Sequence, residues 1–372
     1  MISLSLSFRS TTAYERYNDG RKYWAQLTLH SQNFARIVWI HANERHTDPA
    51  LEKADLLGKI HCLNLIIAYA FALKHKLRFE PYIHYDDLYH RVVHLDTYAK
   101  AADVPATRKK QHILKTVGQF LGVPMAESNP RKVIKEARMP LGNLPLEILT
   151  HLSSYVKQIF DDDTLHVGGL QSQILTSIMN MHDVLTGTER ILSTPLPLAY
   201  SIAIAQITYV YIVILPFQLY TYLGWVTIPA SVFAAYIILG LAFIGREIEN
   251  PFGSDVNDLP LDSYCEGIRN DVDLIMSKPV PVFTKTTAHL ENQLLFPFSQ
   301  LGSAYWAGKS VEEIRVGLAG KPGFDFYHTV HRKRLHRTDA QVAEDGEIGV
   351  GHDGSADEVL GGEGEMRWRK GY

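Results

Sequence analysis

Four side chains with hard oxygen donors crowd one short stretch: Asp255, Asn257, Asp258 and Asp262. Oxygen donors of this kind suit calcium, which takes six to eight of them. An EF-hand is excluded, because its sixth loop position would be Pro260 where that loop needs glycine. Helix capping with solvated acids accounts for the same residues. His90 and His94 share a helical face, but no third ligand is placed beside them, so zinc is not expected. Gly317-Leu-Ala-Gly-Lys321 lacks the first glycine and the Ser/Thr of a phosphate-binding loop. Asp161-Asp-Asp163 reads as a solvated turn or helix end. There is no Gly-x-Ser-x-Gly, no His-Glu-x-x-His and no redox cysteine pair, so nothing supports catalysis and the chain is not expected to be an enzyme.

Composition narrows the field further. The 372 residues carry a net charge of -3, which does not suit a strongly basic nucleic-acid binder. A hydrophobic share of 46% excludes a wholly disordered chain, and two cysteines, Cys62 and Cys265, cannot build a disulfide framework.

The apolar residues are unevenly placed. Between Arg190 and Arg246 there is no Asp, Glu, Lys or Arg. Leu198 to Leu215 is long enough to cross a hydrocarbon core of ~30 Å as a helix, and Trp225 to Ile244 does so again after a break at Gly224. An ionised side chain at mid-membrane costs roughly 2.5–3.5 kcal/mol, so the absence of any over this length points to a transmembrane helical hairpin. Tyr220, Tyr222 and Trp225 gather at the break, where amphipathic rings favour an interface. Arg190 and Arg246 flank the hairpin and its turn has neither Lys nor Arg, which puts both long flanks in the cytoplasm. With no ionisable group but tyrosine, the hairpin lacks the buried charges of a proton relay or voltage sensor.

Elsewhere the pattern is helical. Cys62 to Leu73 is apolar but too short to span, and reads as a buried helix of a soluble layer. His84 to Val93 and Leu146 to Phe160 are amphipathic candidates. Ile2, Leu4, Leu6 and Phe8 alternate with a strand-like period over a stretch too short to exclude a helix. The basic run His331–Arg337 precedes a segment, Thr338 to Met366, with nine acidic residues, seven glycines and no Lys or Arg, which is expected to be disordered.

Three motifs carry a resemblance to a known family. Phe8-Arg-Ser-Thr-Thr-Ala-Tyr-Glu-Arg-Tyr-Asn-Asp-Gly-Arg-Lys-Tyr-Trp24 resembles the signature of the bestrophins. Ser193-Thr-Pro-Leu-Pro-Leu-Ala-Tyr200 is similar to the element opening their later hairpin. Glu249-Asn-Pro-Phe-Gly-Ser-Asp-Val-Asn-Asp-Leu-Pro-Leu-Asp262 is similar to the element closing it.

The resemblance spans roughly residues 1–330 and implies an all-α membrane protein, a homopentameric ion channel subunit with a large cytosolic helical layer. It implies a division into 1–24 (neck helix and signature), 25–190 (cytosolic helices), 191–246 (hairpin), 247–334 (cytosolic helices) and 335–372 (tail). Alignment on the signature puts Leu4 and Phe8 at neck-lining positions, one turn apart on one face, and Leu196 near a second constriction. A third neck position and the family's first membrane span would fall before Met1, so the chain is expected to lack them. Alignment on Asn250–Gly253 puts Asp255 and Asp258 at the carboxylate positions that grip calcium in animal members, though Val256 and Asn257 replace acids there.

The expected function is passive conduction of small ions through an apolar neck. Chloride is favoured, although some bacterial relatives pass cations. The expected location is a multi-pass protein of the plasma membrane. A membrane-anchored scaffold without conductance is the alternative.

Overall fold

The computed structural model describes residues 2–103, 134, 137 and 139–322, and the acidic tail and the end of the last cytosolic segment lie outside them. Among the described residues the secondary structure is helical, with no strand. The chain divides into two compact units, Met1–Val280 and Pro281–Tyr372.

The first unit is built around α1 (Ile2–Arg36), which runs on into a π turn at Ile37–His41. Continuous helix replaces the strand-like alternation of residues 2–8, and residues 24 and 25, the expected boundary, lie within it. α2 (Pro49–Leu77) starts where Asp48 accepts a hydrogen bond from the Ala50 N–H at 2.9 Å, with Pro49 in the first turn, and ends on Lys74, His75 and Lys76. The two short helices α3 (Tyr89–Val92) and α4 (Tyr98–Ala102) follow, so only four residues of the segment 84–93 are helical. α5 (Leu144–Asp161) is capped by Asn143 and buries Ile148, Leu149, Leu152, Val156 and Ile159, the 3–4 spacing of an amphipathic helix. Then come α6 (Gly168–Ser193), α7 (Leu198–Leu223), a 3-10 turn at Gly224–Val226, α8 (Thr227–Glu247) and α9 (Leu261–Met276).

α1 packs chiefly on α6, α8 and α9, and α2 on α5 and α9. The core between them includes Trp24, Phe34, Leu63, Ile66, Tyr69, Ile148, Met181 and Ile268. Polar ties cross it: the Tyr69 hydroxyl donates to Met181 O at 2.6 Å, and Gln32 Nε2 donates to Asp271 Oδ2 at 2.8 Å.

Two segments are long and apolar enough to cross a membrane, and burial separates them. In α2 67% of the apolar window is buried inside the protein, while in Ala199–Gly245 only 6% is. α2 also carries Lys59 and Lys74, both buried and paired with Glu44 (2.9 Å) and Asp262 (2.8 Å). α2 is therefore the core helix of the layer, longer than its apolar run suggested, and α7–α8 is the hairpin whose apolar surface requires another solvent. Two hairpin hydroxyls return to their own helix, Thr208 to Ile204 O (2.8 Å) and Ser231 to Ile228 O (3.0 Å), which satisfies them without water. Gly224, at φ +52°, makes the break between the two helices.

The second unit holds the short helices α10 (Phe283–Thr287) and α11 (Ser303–Ala307), followed by helical turns over 311–322.

Candidate functional site

At 100° per residue, the buried side chains of α1 form one stripe, with Leu6 (5% exposed), Ala13, Trp24 and Leu27 among them. Leu4 and Phe8 lie on the opposite side and are 72% and 52% exposed. Phe8 touches the chain through Tyr200 at the start of α7, ring centroids 6.4 Å apart. A Cβ at Gly245, near the end of α8, would lie 3.4 Å from Arg9 Cγ and Ser10 Oγ. Residues 2–8 therefore run beside the hairpin, and Arg9 stands level with the end of α8.

One side chain that the sequence reading passed over ties these parts together. Arg16 Nε donates to Glu249 O at 3.1 Å, one terminal nitrogen donates to Ile191 O at 2.6 Å, and the other donates to Thr194 O. Its guanidinium thus meets carbonyls at the end of α6, before the hairpin, and just beyond α8, after it. Burial lowers its pKa from the ordinary arginine value, and the charge of Glu249 opposes that shift. Arg9 adds an ion pair to the Glu249 carboxylate at 3.5 Å. The available signal was a cation on the buried stripe of α1, between Ala13 and Gly20, where an unpaired charge would be costly. Leu196 is half-exposed in a recess of about 330 Å³ with Thr12, Arg16 and Asp19.

The 250–262 turn packs against the same helix. Phe252 is fully buried, and a Cβ at Gly20 would lie 3.0 Å from its ring, so glycine is what lets the turn approach α1. Asp258 Oδ2 accepts the Asp255 N–H at 2.8 Å, closing the turn on itself. Asn257 Nδ2 donates to Glu247 Oε1 at 2.7 Å, and Asp262 is held by Lys74 at 2.8 Å and Arg78 at 3.0 Å. Burial raises the Asp258 pKa, its neighbours Asp255 and Glu247 add to the rise, and the turn hydrogen bond and Arg78 oppose it.

Asp258 thus gives one carboxylate oxygen to its own turn, and Asp262 is held by two cations. Among the described residues no group of three or more His, Cys, Asp or Glu side chains is arranged to hold a metal. His90 and His94 are not on one helical face, since α3 ends at Val92 and His94 stacks edge-on with His61 at 5.1 Å.

A buried helical layer clamped to an unburied apolar hairpin defines a helical membrane protein. The sequence profile of the bacterial/fungal bestrophin proteins matches residues 1–274. Proteins named voltage-dependent anion channel-forming protein are similar. One from Synechocystis is 32% identical over 279 residues, 75% of this chain and 76% of that one. One from Nostoc is 33% identical over 277 residues, 74% and 75% of the two chains. The chain belongs to the bacterial/fungal bestrophin family. Crystal structures of a bacterial bestrophin homolog from Klebsiella pneumoniae share the fold: one variant superposes with a TM-score of 0.53 at 22% identity, over 74% of this chain and 84% of that one.

Proposed function

We propose that the protein is a subunit of an anion channel, in which five copies surround a shared axis in the plasma membrane and chloride passes through a neck of Leu4 and Phe8 rings. The carrying observation is the uncovered stripe on α1: two large apolar side chains, opposite the buried face, at the level of the hairpin. Burying a side chain of that size is worth roughly 1.5–3 kcal/mol, so leaving both bare in one protomer needs a reason. Apolar rings narrow enough to shed water gate by dewetting, with no titratable group required. The names of the Synechocystis and Nostoc relatives support anions as the cargo. In the same reading residues 1–24 are the neck segment, 25–190 and 247–334 the cytosolic layer and 191–246 the membrane hairpin, with Leu196, beside Arg16, near a second constriction.

The test is current through planar bilayers containing the purified, sized oligomer. Wild type should pass chloride, and Phe8→Ala and Leu4→Ala should each raise conductance or relax selectivity. A verified oligomer that carries no current would overturn the channel and favour a membrane-anchored scaffold.

A further inference from the structure

The stripe that begins with Leu4 and Phe8 does not end with them. Counting 100° per residue, Leu29, Asn33 and Arg36 return to the same side of α1. Phe8 to Arg36 is about 42 Å along a straight helix at 1.5 Å per residue. Between them the same side carries Thr11, Glu15, Asn18 and Lys22, and beyond Leu29 it opens into a recess of about 500 Å³ between the end of α1, its π turn and α6.

The polar side chains around this recess are His30, Asn33, Arg36, His41, Gln173 and Asn180, and no Asp or Glu lines it. Arg36 donates to Asn33 Oδ1 at 2.7 Å. That bond occupies the amide oxygen of Asn33 and leaves its NH2 group to donate outward. Among the described residues Gln173, Asn180, His30 and His41 make no hydrogen bond with their side chains, so their donors are free. Ile37 and Leu170 give the recess an apolar floor. Burial lowers the pKa of His30, which keeps that ring neutral near pH 7. The guanidinium of Arg36 supplies a fixed positive charge to the recess. Thr176 and Ser177 also reach it, but their hydroxyls donate to Ser172 O (2.8 Å) and Gln173 O (3.0 Å) of their own helix. A π turn forms the end wall, a distortion frequent at functional sites.

We propose that this recess is an anion subsite on the cytosolic path of the pore, in which Arg36 and the amides of Asn33, Gln173 and Asn180 hold a small monovalent inorganic anion of the halide class. An apolar floor with a few convergent donors and one cation suits a weakly held ion better than a multivalent one, and weak holding is what conduction requires. Repeated around the axis, the site would put a ring of guanidinium groups on the face that carries the neck residues, raising the local anion concentration before the constriction. This inference rests on the channel reading above, and its two tests separate the two.

The first test is binding alone. Crystals of the full chain grown in sodium bromide should show an anomalous peak within hydrogen-bond distance of Arg36, absent from Arg36→Gln and from Asn180→Asp. The second is conduction at low and high salt. Arg36→Gln should cut chloride conductance several-fold at low salt and little at ~1 M, where the Debye length falls to about 3 Å, with Arg36→Lys restoring part of the loss. Asn180→Asp, which adds a carboxylate to the recess, should act in the same direction. Absence of bromide from the wild-type recess overturns the subsite, and so does an Arg36→Gln channel with unchanged low-salt conductance. A wild type that binds bromide but passes no chloride sinks the channel reading, and with it the placing of the site on a pore.

Discussion

Arg16 and Glu249 stand 233 residues apart in the chain and meet at 3.1 Å, the guanidinium of one on the backbone carbonyl of the other. The same guanidinium reaches Ile191 O at 2.6 Å, so one side chain of α1 holds the hairpin at both its ends. Hinging or sliding of α7–α8 against α1 has to break these bonds, which makes the contact the mechanical link between the membrane segment and the helix bearing Leu4 and Phe8.

Replacing Arg16 with Ala should lower the thermal midpoint of the purified protein markedly. Hydrogen bonds to a charged donor contribute roughly 1.5–3 kcal/mol each, and truncation leaves carbonyls without that partner. Arg16→Lys should recover part of the loss, because a compact ammonium cannot span carbonyls on both sides as a planar fork does. Equal midpoints for wild type and Arg16→Ala would remove the clamp.

Gly187 of α6 faces Tyr23 of α1 with no room for a side chain, since a Cβ there would overlap the Tyr23 ring. Overpacking of this kind costs about 1–3 kcal/mol. Gly187→Ala should therefore destabilise the protein, and adding Tyr23→Ala should return some of that stability by making room. Purely additive losses, read from thermal melts of the three variants, would contradict the contact.

Two aspartates should give opposite pH signatures. The hydrogen bond from Arg45 lowers the pKa of Asp55 from 3.8, so its stabilisation is present above that value and fades as pH falls through the lower folded one. Asp258 is raised from 3.8 mainly by burial, so its ionisation costs stability as pH rises from 3.8 through the higher folded value. Melts of Asp55→Asn should show a cost at neutral pH that shrinks in acid. Asp258→Asn should show a gain at neutral pH that vanishes in acid, and a loss there would reverse our account of the turn.

The geometry of that turn also bears on calcium. Adding calcium or a chelator should leave both the melting midpoint and the bilayer current unchanged. A calcium-dependent shift abolished by Asp255→Ala with Asp258→Ala would show that the turn opens to bind the ion.

The sequence alone determined the hairpin, because membrane partition depends on composition and length and 55 consecutive residues without Asp, Glu, Lys or Arg leave little else to choose. It determined the membership of the helices in one family as well, through three motifs whose order needs no coordinates. The amphipathic pattern of Leu146–Phe160 was legible for the same local reason, since one face of a helix is written in every third or fourth residue. The twelve-residue length of the apolar run Cys62–Leu73 already read as a buried helix, and the tertiary structure decided which neighbours cover it. Only there could Arg16 be seen to serve both ends of the hairpin, Asp258 to spend its carboxylate on Asp255, and Arg36 to share a recess with Asn180. Contacts made across one or two hundred residues leave no spacing in the chain, because they are fixed by how helices pack and not by how residues follow one another.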